Sequence, residues 1–240
     1  MTATAMSGAL PSLKVQRPTT TLRELALEKM RTAILEAHFH PGERLVERSL
    51  CEILGVSRTV VREVLRHLET EGLVDSIPNQ GPIVAVLDFD TAAEIYEIRA
   101  LLEGEAAMAC AKHANEQTVA DLAGFIEQIQ TAFEAQDHPA VRALTTAFYE
   151  RMFIAGKKHV AWEIVQSLTA RINRLRALTI ASDDRGRQAV DEMHRILSAI
   201  AARDSAAARE AAIAHVHRVA EIARKLLAEG HEQAVWRQAG

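Results

Sequence analysis

Aromatic residues are scarce: six Phe, two Tyr and two Trp make up 4% of 240 residues. The core must therefore be aliphatic, and the abundance of Ala, Leu, Arg and Glu favours helices over strands. Cysteine is scarcer still. Cys51 and Cys110 sit in helical apolar patterns in different halves of the chain, which excludes a disulfide framework and reads as two buried thiols in a cytoplasmic protein. No window approaches the ~18 continuous apolar residues of a membrane span. Met1–Thr20 carries Ser, Thr, Pro and Gly but no apolar signal-peptide run, so residues 1–19 read as a flexible arm. Positive charge is also lacking. The net charge is −4, and residues 20–88 hold 8 Lys/Arg against 11 Asp/Glu. Nucleic-acid binding by such a segment must rest on where charges sit, not on their total.

A chain of 240 residues with 48% hydrophobic content suits two domains. Thr21-Leu-Arg-Glu24 fits a capping box, and Leu25, Leu27, Met30, Ile34 and Leu35 supply an apolar helical face behind it. His40-Pro41-Gly42 breaks that helix. A second short helix runs from about Val46 to Leu54 and stops at Gly55; Ser57 caps a third that ends before Gly72. Strand-like runs Leu73–Ile77 and Ile83–Leu87 flank the turn Pro78–Pro82. The expected fold is mainly α: a winged helix-turn-helix over residues 20–88, then an all-α antiparallel bundle of about six helices over 89–230, and a tail at 231–240. The bundle helices are expected at about 90–113, 117–135, 138–155, 159–181, 186–202 and 204–229.

In the third helix, Val61, Val64, Leu65 and Leu68 follow the spacing of a buried face, while Arg58, Arg62 and Arg66 recur on another. A helix whose first turn presents Arg and Thr away from the core can enter a major groove, where Arg bonds a guanine edge or a phosphate. Three arginines alone read more readily as a solvated face paired with Glu63 and Glu69. The ordered series of Pro-Gly, Gly, Ser cap, Gly and glycine-tipped hairpin favours DNA.

The runs His40–Leu45, Leu54–Leu65 and Leu68–Val74 resemble the N-terminal domain of GntR-type bacterial regulators. The resemblance implies DNA contacts from Arg48, Ser57, Arg58, Thr59 and Arg62, with Gly81 at the wing tip. Val60 stands where many members have Pro or Thr. The remainder is similar to the FCD-type effector domain of the fatty-acid-responsive and related branches, through Tyr96–Glu103, Met193–Ile200 and the stretch around His215. That resemblance implies a divalent metal such as zinc or nickel, held by an Asp and a His four apart and by two later histidines. The later pair matches His194 and His215, but Thr145 and Tyr149 take the other two places. Two readings stay open. Asp191, water or effector completes a metal shell around His194 and His215; or both are pocket histidines that bond Thr145, Tyr149 or an anionic ligand.

Arg99, Thr145, Tyr149, Asn173, His194 and His215 are thus the candidate lining of a site for a small organic acid. Arg99 reads equally as an ion-pair partner of Glu103, one helical turn on. The expectation is a non-enzymatic transcriptional regulator, a homodimeric repressor whose grip on palindromic double-stranded DNA is set by effector. A metal-dependent hydrolase is the alternative from another class, but the chain has neither HExxH nor a nucleophile elbow. A helical protein-interaction scaffold would leave Ser57–Arg62 unexplained.

Overall fold

The computed structural model describes residues 21–180, 182 and 185–228; the expected arm and tail lie outside the described residues. Helix α1 (Leu22–Leu35) begins with the capping box: Thr21 Oγ1 accepts from the Glu24 amide at 3.2 Å, and Glu24 Oε2 accepts from the Thr21 amide at 2.8 Å. Its buried face is Ala26, Leu27, Met30 and Ile34, and Leu25, expected there, is exposed. Helix α2 (Glu47–Leu54) stops at Gly55, whose φ of 64° is left-handed. Ser57 caps α3 (Arg58–Thr70), which buries Val61, Val64, Leu65 and Leu68. Strands β1 (Val74–Ile77) and β2 (Gly81–Val84) form the antiparallel wing, with Val74 opposite Val84 and Ile77 opposite Gly81. The second strand starts earlier than its sequence pattern indicates, because Asn79 at φ 66° closes the turn within three residues.

Asp88 caps α4 (Phe89–His113) through the Thr91 amide at 2.8 Å. Then follow α5 (Glu116–Glu134), α6 (His138–Ala155), α7 (His159–Ser167), α8 (Thr169–Ile180), α9 (Arg185–Ala201) and α10 (Ser205–Ala228). Helix α4 lies along α10, α5 along α6 and α9, and one continuous core joins them. The bundle has seven helices among the described residues rather than six, because 159–181 divides at Leu168. There Ser167 Oγ donates to the Ile164 carbonyl at 2.7 Å and Thr169 Oγ1 to that of Val165 at 3.2 Å. Both hydroxyls compete for carbonyls the helix would otherwise use. No helix among the described residues is long and apolar enough to cross a membrane.

Helix α8 joins the two halves. Ala170 packs on the N-terminal core, Arg174 is buried and its Nη1 donates to the Ala85 carbonyl at the exit of the wing. The Arg171 guanidinium lies where a side chain at Gly72 would go: a Cβ there would stand 2.0 Å from Arg171 Nε, and Gly72 has φ 69°. Gly72→Ala therefore strains the backbone and displaces Arg171. A loss of about 1–3 kcal/mol in chemical denaturation is expected, and a variant as stable as the parent would contradict this seating of α8.

Candidate nucleic-acid interface and effector cavity

The N-terminal end of α3 is exposed at Ser57, Arg58, Thr59 and Arg62. The Ser57 hydroxyl accepts from the Val60 amide at 3.4 Å, so the helix end is capped from within. Arg58 and Arg62 lie one turn apart and converge on one carboxylate, Glu47 of α2. Arg58 Nε donates to Glu47 Oε2 at 2.6 Å, and Arg62 Nε donates to both oxygens at 2.9 and 3.1 Å. The hydrogen bonds from Arg62 and then Arg58 hold the Glu47 carboxyl below its ordinary range. Each arginine spends only Nε on this contact, so both Nη groups point their donors elsewhere. Arg48 is almost wholly exposed and touches Glu52 at 3.3 Å. Gly81 opens β2 at the wing tip with φ 85°. Ser57, Arg58, Thr59 and Arg62 are exposed on α3, Arg48 on α2, and Gly81 opens the wing; Glu47, which sequence reasoning missed, joins Arg58 and Arg62. Its only signal was an acidic residue in the first turn of the helix before Ser57.

Inside the bundle, α4, α5, α6, α8, α9 and α10 enclose a cavity of about 40 Å³. A buried water needs roughly 10–15 Å³, so the space suits a carboxylate group or a few waters. Ile129, Phe133, Val141, Met193 and Val219 form its apolar wall; Arg99, Thr145, Arg176, Arg185 and His215 form its polar wall. Arg99 Nε donates to Glu103 Oε1 at 2.7 Å, while Arg99 Nη1 is buried without a partner. Burial works against the Arg99 charge, but Glu103 outweighs it and the pKa rises. Arg185 Nη1 donates to Glu192 Oε2 at 3.0 Å. Arg176 has no carboxylate within ion-pair distance among the described residues; its Nη1 donates to Thr146 Oγ1 at 2.9 Å and Asn173 Oδ1 at 3.1 Å. Burial and the like charge of Arg99 push Arg176 down to about 10. Burial, and more weakly Arg185, lower the His215 pKa despite Glu192. The His215 ring lies against the carboxylate, Nδ1–H donating to Glu192 Oε2 at 2.7 Å. Among the described residues, the three guanidiniums of Arg99, Arg176 and Arg185 meet two carboxylates, Glu103 and Glu192.

The six sequence candidates divide. Arg99, Thr145 and His215 line the cavity. Tyr149 is buried beside it, its ring 5.5 Å from the Arg176 guanidinium and 6.4 Å from the His215 ring. Asn173 faces the cleft between the domains and reaches the cavity only through Arg176. His194 does not belong. The buried stripe of α9 runs through Ala189, Met193, Ile196 and Ile200, and His194, about 100° round from Met193, is exposed. The opposite flank, Arg185 and Glu192, is the one α10 covers. Arg176, Arg185 and Glu192 are site residues that sequence reasoning missed; each is a charge on a face otherwise apolar.

The donor set does not fit the divalent metal that the resemblance implies. His215 uses Nδ1 on Glu192, Glu192 is held by Arg185, and the Thr145 hydroxyl donates to the Val141 carbonyl at 2.7 Å. Asp191 is exposed, and no cluster of three His, Cys, Asp or Glu occurs among the described residues. Three guanidiniums repel a cation and attract an anion.

Residues 22–84 match the family model for bacterial regulatory proteins of the gntR family, and residues 94–218 match that of the FCD domain. The chain is 31% identical over 182 residues to the Nta operon transcriptional regulator of Aminobacter aminovorans, covering 75% of this chain and 84% of that one. It is 23% identical over 215 residues to the HTH-type transcriptional repressor RspR of Escherichia coli, covering 90% and 94%. Among solved structures, E. coli McbR/YncC superposes with a TM-score of 0.68 at 23% identity over 90% of this chain and all of that one, which speaks for the fold. The chain belongs to the GntR family of DNA-binding transcriptional regulators, which are not enzymes, and its C-terminal half is an FCD domain, the type that binds small-molecule effectors.

Proposed function

We propose that this regulator is a homodimeric repressor that reads a palindromic operator with Arg58 and Arg62, and that a small carboxylate in the bundle cavity changes its grip. Arg48, Ser57, Thr59 and Gly81 supply phosphate and backbone contacts. The observation that carries the DNA reading is the exposed pair of arginines on the first two turns of α3, aimed by one carboxylate while four Nη groups stay available. A palindromic site follows from two-fold symmetry, which places two such helices on successive major grooves. Ile98 and Leu101 of α4 are 39% and 62% exposed, apolar surface of the kind a second copy would cover. The carboxylate reading is supported by the three guanidiniums that line a mostly apolar cavity, and the repressor reading by the name of RspR.

The test is anisotropy titration against an operator selected from a random library. Arg58→Ala and Arg62→Ala are each expected to weaken specific binding about 10-fold or more, with the dimer intact by sedimentation. Unchanged affinity in both variants would remove α3 as the reading element. Deletion of the gene should raise transcription from the operator-bearing promoter; a fall would make the protein an activator.

A further inference from the structure

We propose that Arg176 is the residue that binds the effector anion, without a metal, and that its other edge reports occupancy to the interface between the two domains. This rests on the preceding reading of the cavity as the effector site. The guanidinium has five N–H donors in a fixed plane. Nη1 is spent on Thr146 Oγ1 and Asn173 Oδ1. Nε and Nη2 have no partner among the described residues, and that side-on fork matches the two oxygens of a carboxylate. Arg99 supplies a second claim on an anion through its buried, unpartnered Nη1.

The two acceptors of Arg176 Nη1 are Thr146 of α6 and Asn173 of α8. Thr146 and Asn173 line an open cleft of about 630 Å³ between the domains, together with Arg31 and Glu71 from the DNA-reading half. Arg31 and Glu71 are themselves paired, tying α1 to the end of α3. The neighbours of Asn173 on α8 hold that half: Arg174 on the Ala85 carbonyl and Arg171 at Gly72. One helix therefore has Arg176 in the cavity and Arg171 and Arg174 on the DNA-reading domain. A carboxylate on the Nε–Nη2 fork fixes the guanidinium plane, and the plane fixes how well Nη1 holds Thr146 and Asn173. Occupancy locks α6 to α8 at the floor of the cleft. Without the anion, Arg99 and Arg176 repel, and that lock is looser.

The experiment uses the full chain after chelator treatment. Sodium acetate is the probe, sodium chloride at equal ionic strength is the control, and zinc sulfate is a separate arm. Calorimetry reads binding, and amide exchange over Leu73–Ala85 reads the interface. Acetate is expected to bind the metal-free protein and to slow exchange across that segment by severalfold. Arg176→Met should weaken acetate about 10–100-fold, the loss of a charge-assisted pair. Arg176→Lys, which keeps the charge but loses the fork, should weaken it about 10-fold and decides the matter if the Met variant does not fold. The double variant Thr146→Val/Asn173→Ala should bind acetate within about threefold of the parent, yet show no acetate effect at Leu73–Ala85. The assignment fails if the parent binds no acetate, if binding requires zinc, if both Arg176 variants bind as the parent does, or if the double variant still transmits. Each of these outcomes leaves the DNA-regulator reading to the Arg58 and Arg62 titrations, which stand apart from it.

Discussion

Glu103→Leu is expected to lower the melting temperature by roughly 6–20 °C. Arg99 and Glu103 lie one turn apart on α4, with side chains 2% and 1% exposed. Removing one partner of a buried pair leaves the other charge in a medium that cannot solvate it, a loss of about 3–5 kcal/mol. A chain of this length shifts by about 2–4 °C per kcal/mol. Here the loss falls at the upper end, because Arg176 is close enough to push against Arg99. What remains for Arg99 is the faces of Tyr96 and Tyr149, at 5.5 and 6.0 Å, and a cation over a ring offsets only ~1–2 kcal/mol. Arg99→Met/Glu103→Leu should recover most of the loss, since an apolar pair of similar volume is often no worse than the ions it replaces. A thermal melt of the single and double variants separates the outcomes. A single variant within about 2 °C of the parent would mean that the pair is not desolvated in solution.

The same pair illustrates what could be read without coordinates. Glu103 four residues after Arg99 announces an ion pair, and the helical face around them announces a core; both statements hold at once only when the cavity is seen. The N-terminal half was legible because its signals are local. A Thr-x-x-Glu box, a glycine after α2, a serine before α3 and a turn holding Pro78, Asn79 and Gly81 each act within four residues. The cavity was legible only in part because its signals are not local. Arg185, Glu192 and His215 meet across two helices, and Arg176 arrives from a third. Arg185 and Glu192 share a face of α9 two turns apart, but no spacing rule relates that pair to His215 or to Arg176. His194 was misplaced for a related reason. Its neighbours Val190 and Leu197 are buried, but they mark the edge of the stripe rather than its centre, and only the angle of α9 against α10 decides which flank is covered. Leu168 escaped notice because two hydroxyls, not a glycine or proline, divide the helix there.

Glu47→Ala is expected to lower the ratio of specific to non-specific DNA affinity by about 100-fold, even though it removes a negative charge from the face that meets DNA. The usual electrostatic expectation is the opposite: one carboxylate fewer near phosphates should tighten binding. That expectation applies to the non-specific term, which should rise modestly and keep its steep dependence on salt. The specific term depends on aim. Glu47 holds both Arg58 and Arg62 by Nε, leaving the Nη1–Nη2 end of each fork for a guanine edge. Such a bidentate contact contributes about 1–3 kcal/mol of discrimination, and both would lose their guide together. The long side chains would also have to be ordered on binding, at about 0.5–1.5 kcal/mol each, where now the carboxylate orders them beforehand. Glu47→Gln should fall between, since an amide oxygen can still accept from one Nε. Stability should change little, because both arginines are exposed and surface ion pairs contribute about 0–1 kcal/mol each. Anisotropy titrations of operator and scrambled DNA at two salt concentrations provide the check. A Glu47→Ala variant that tightened on both sequences alike would show that the carboxylate only repels DNA and aims nothing.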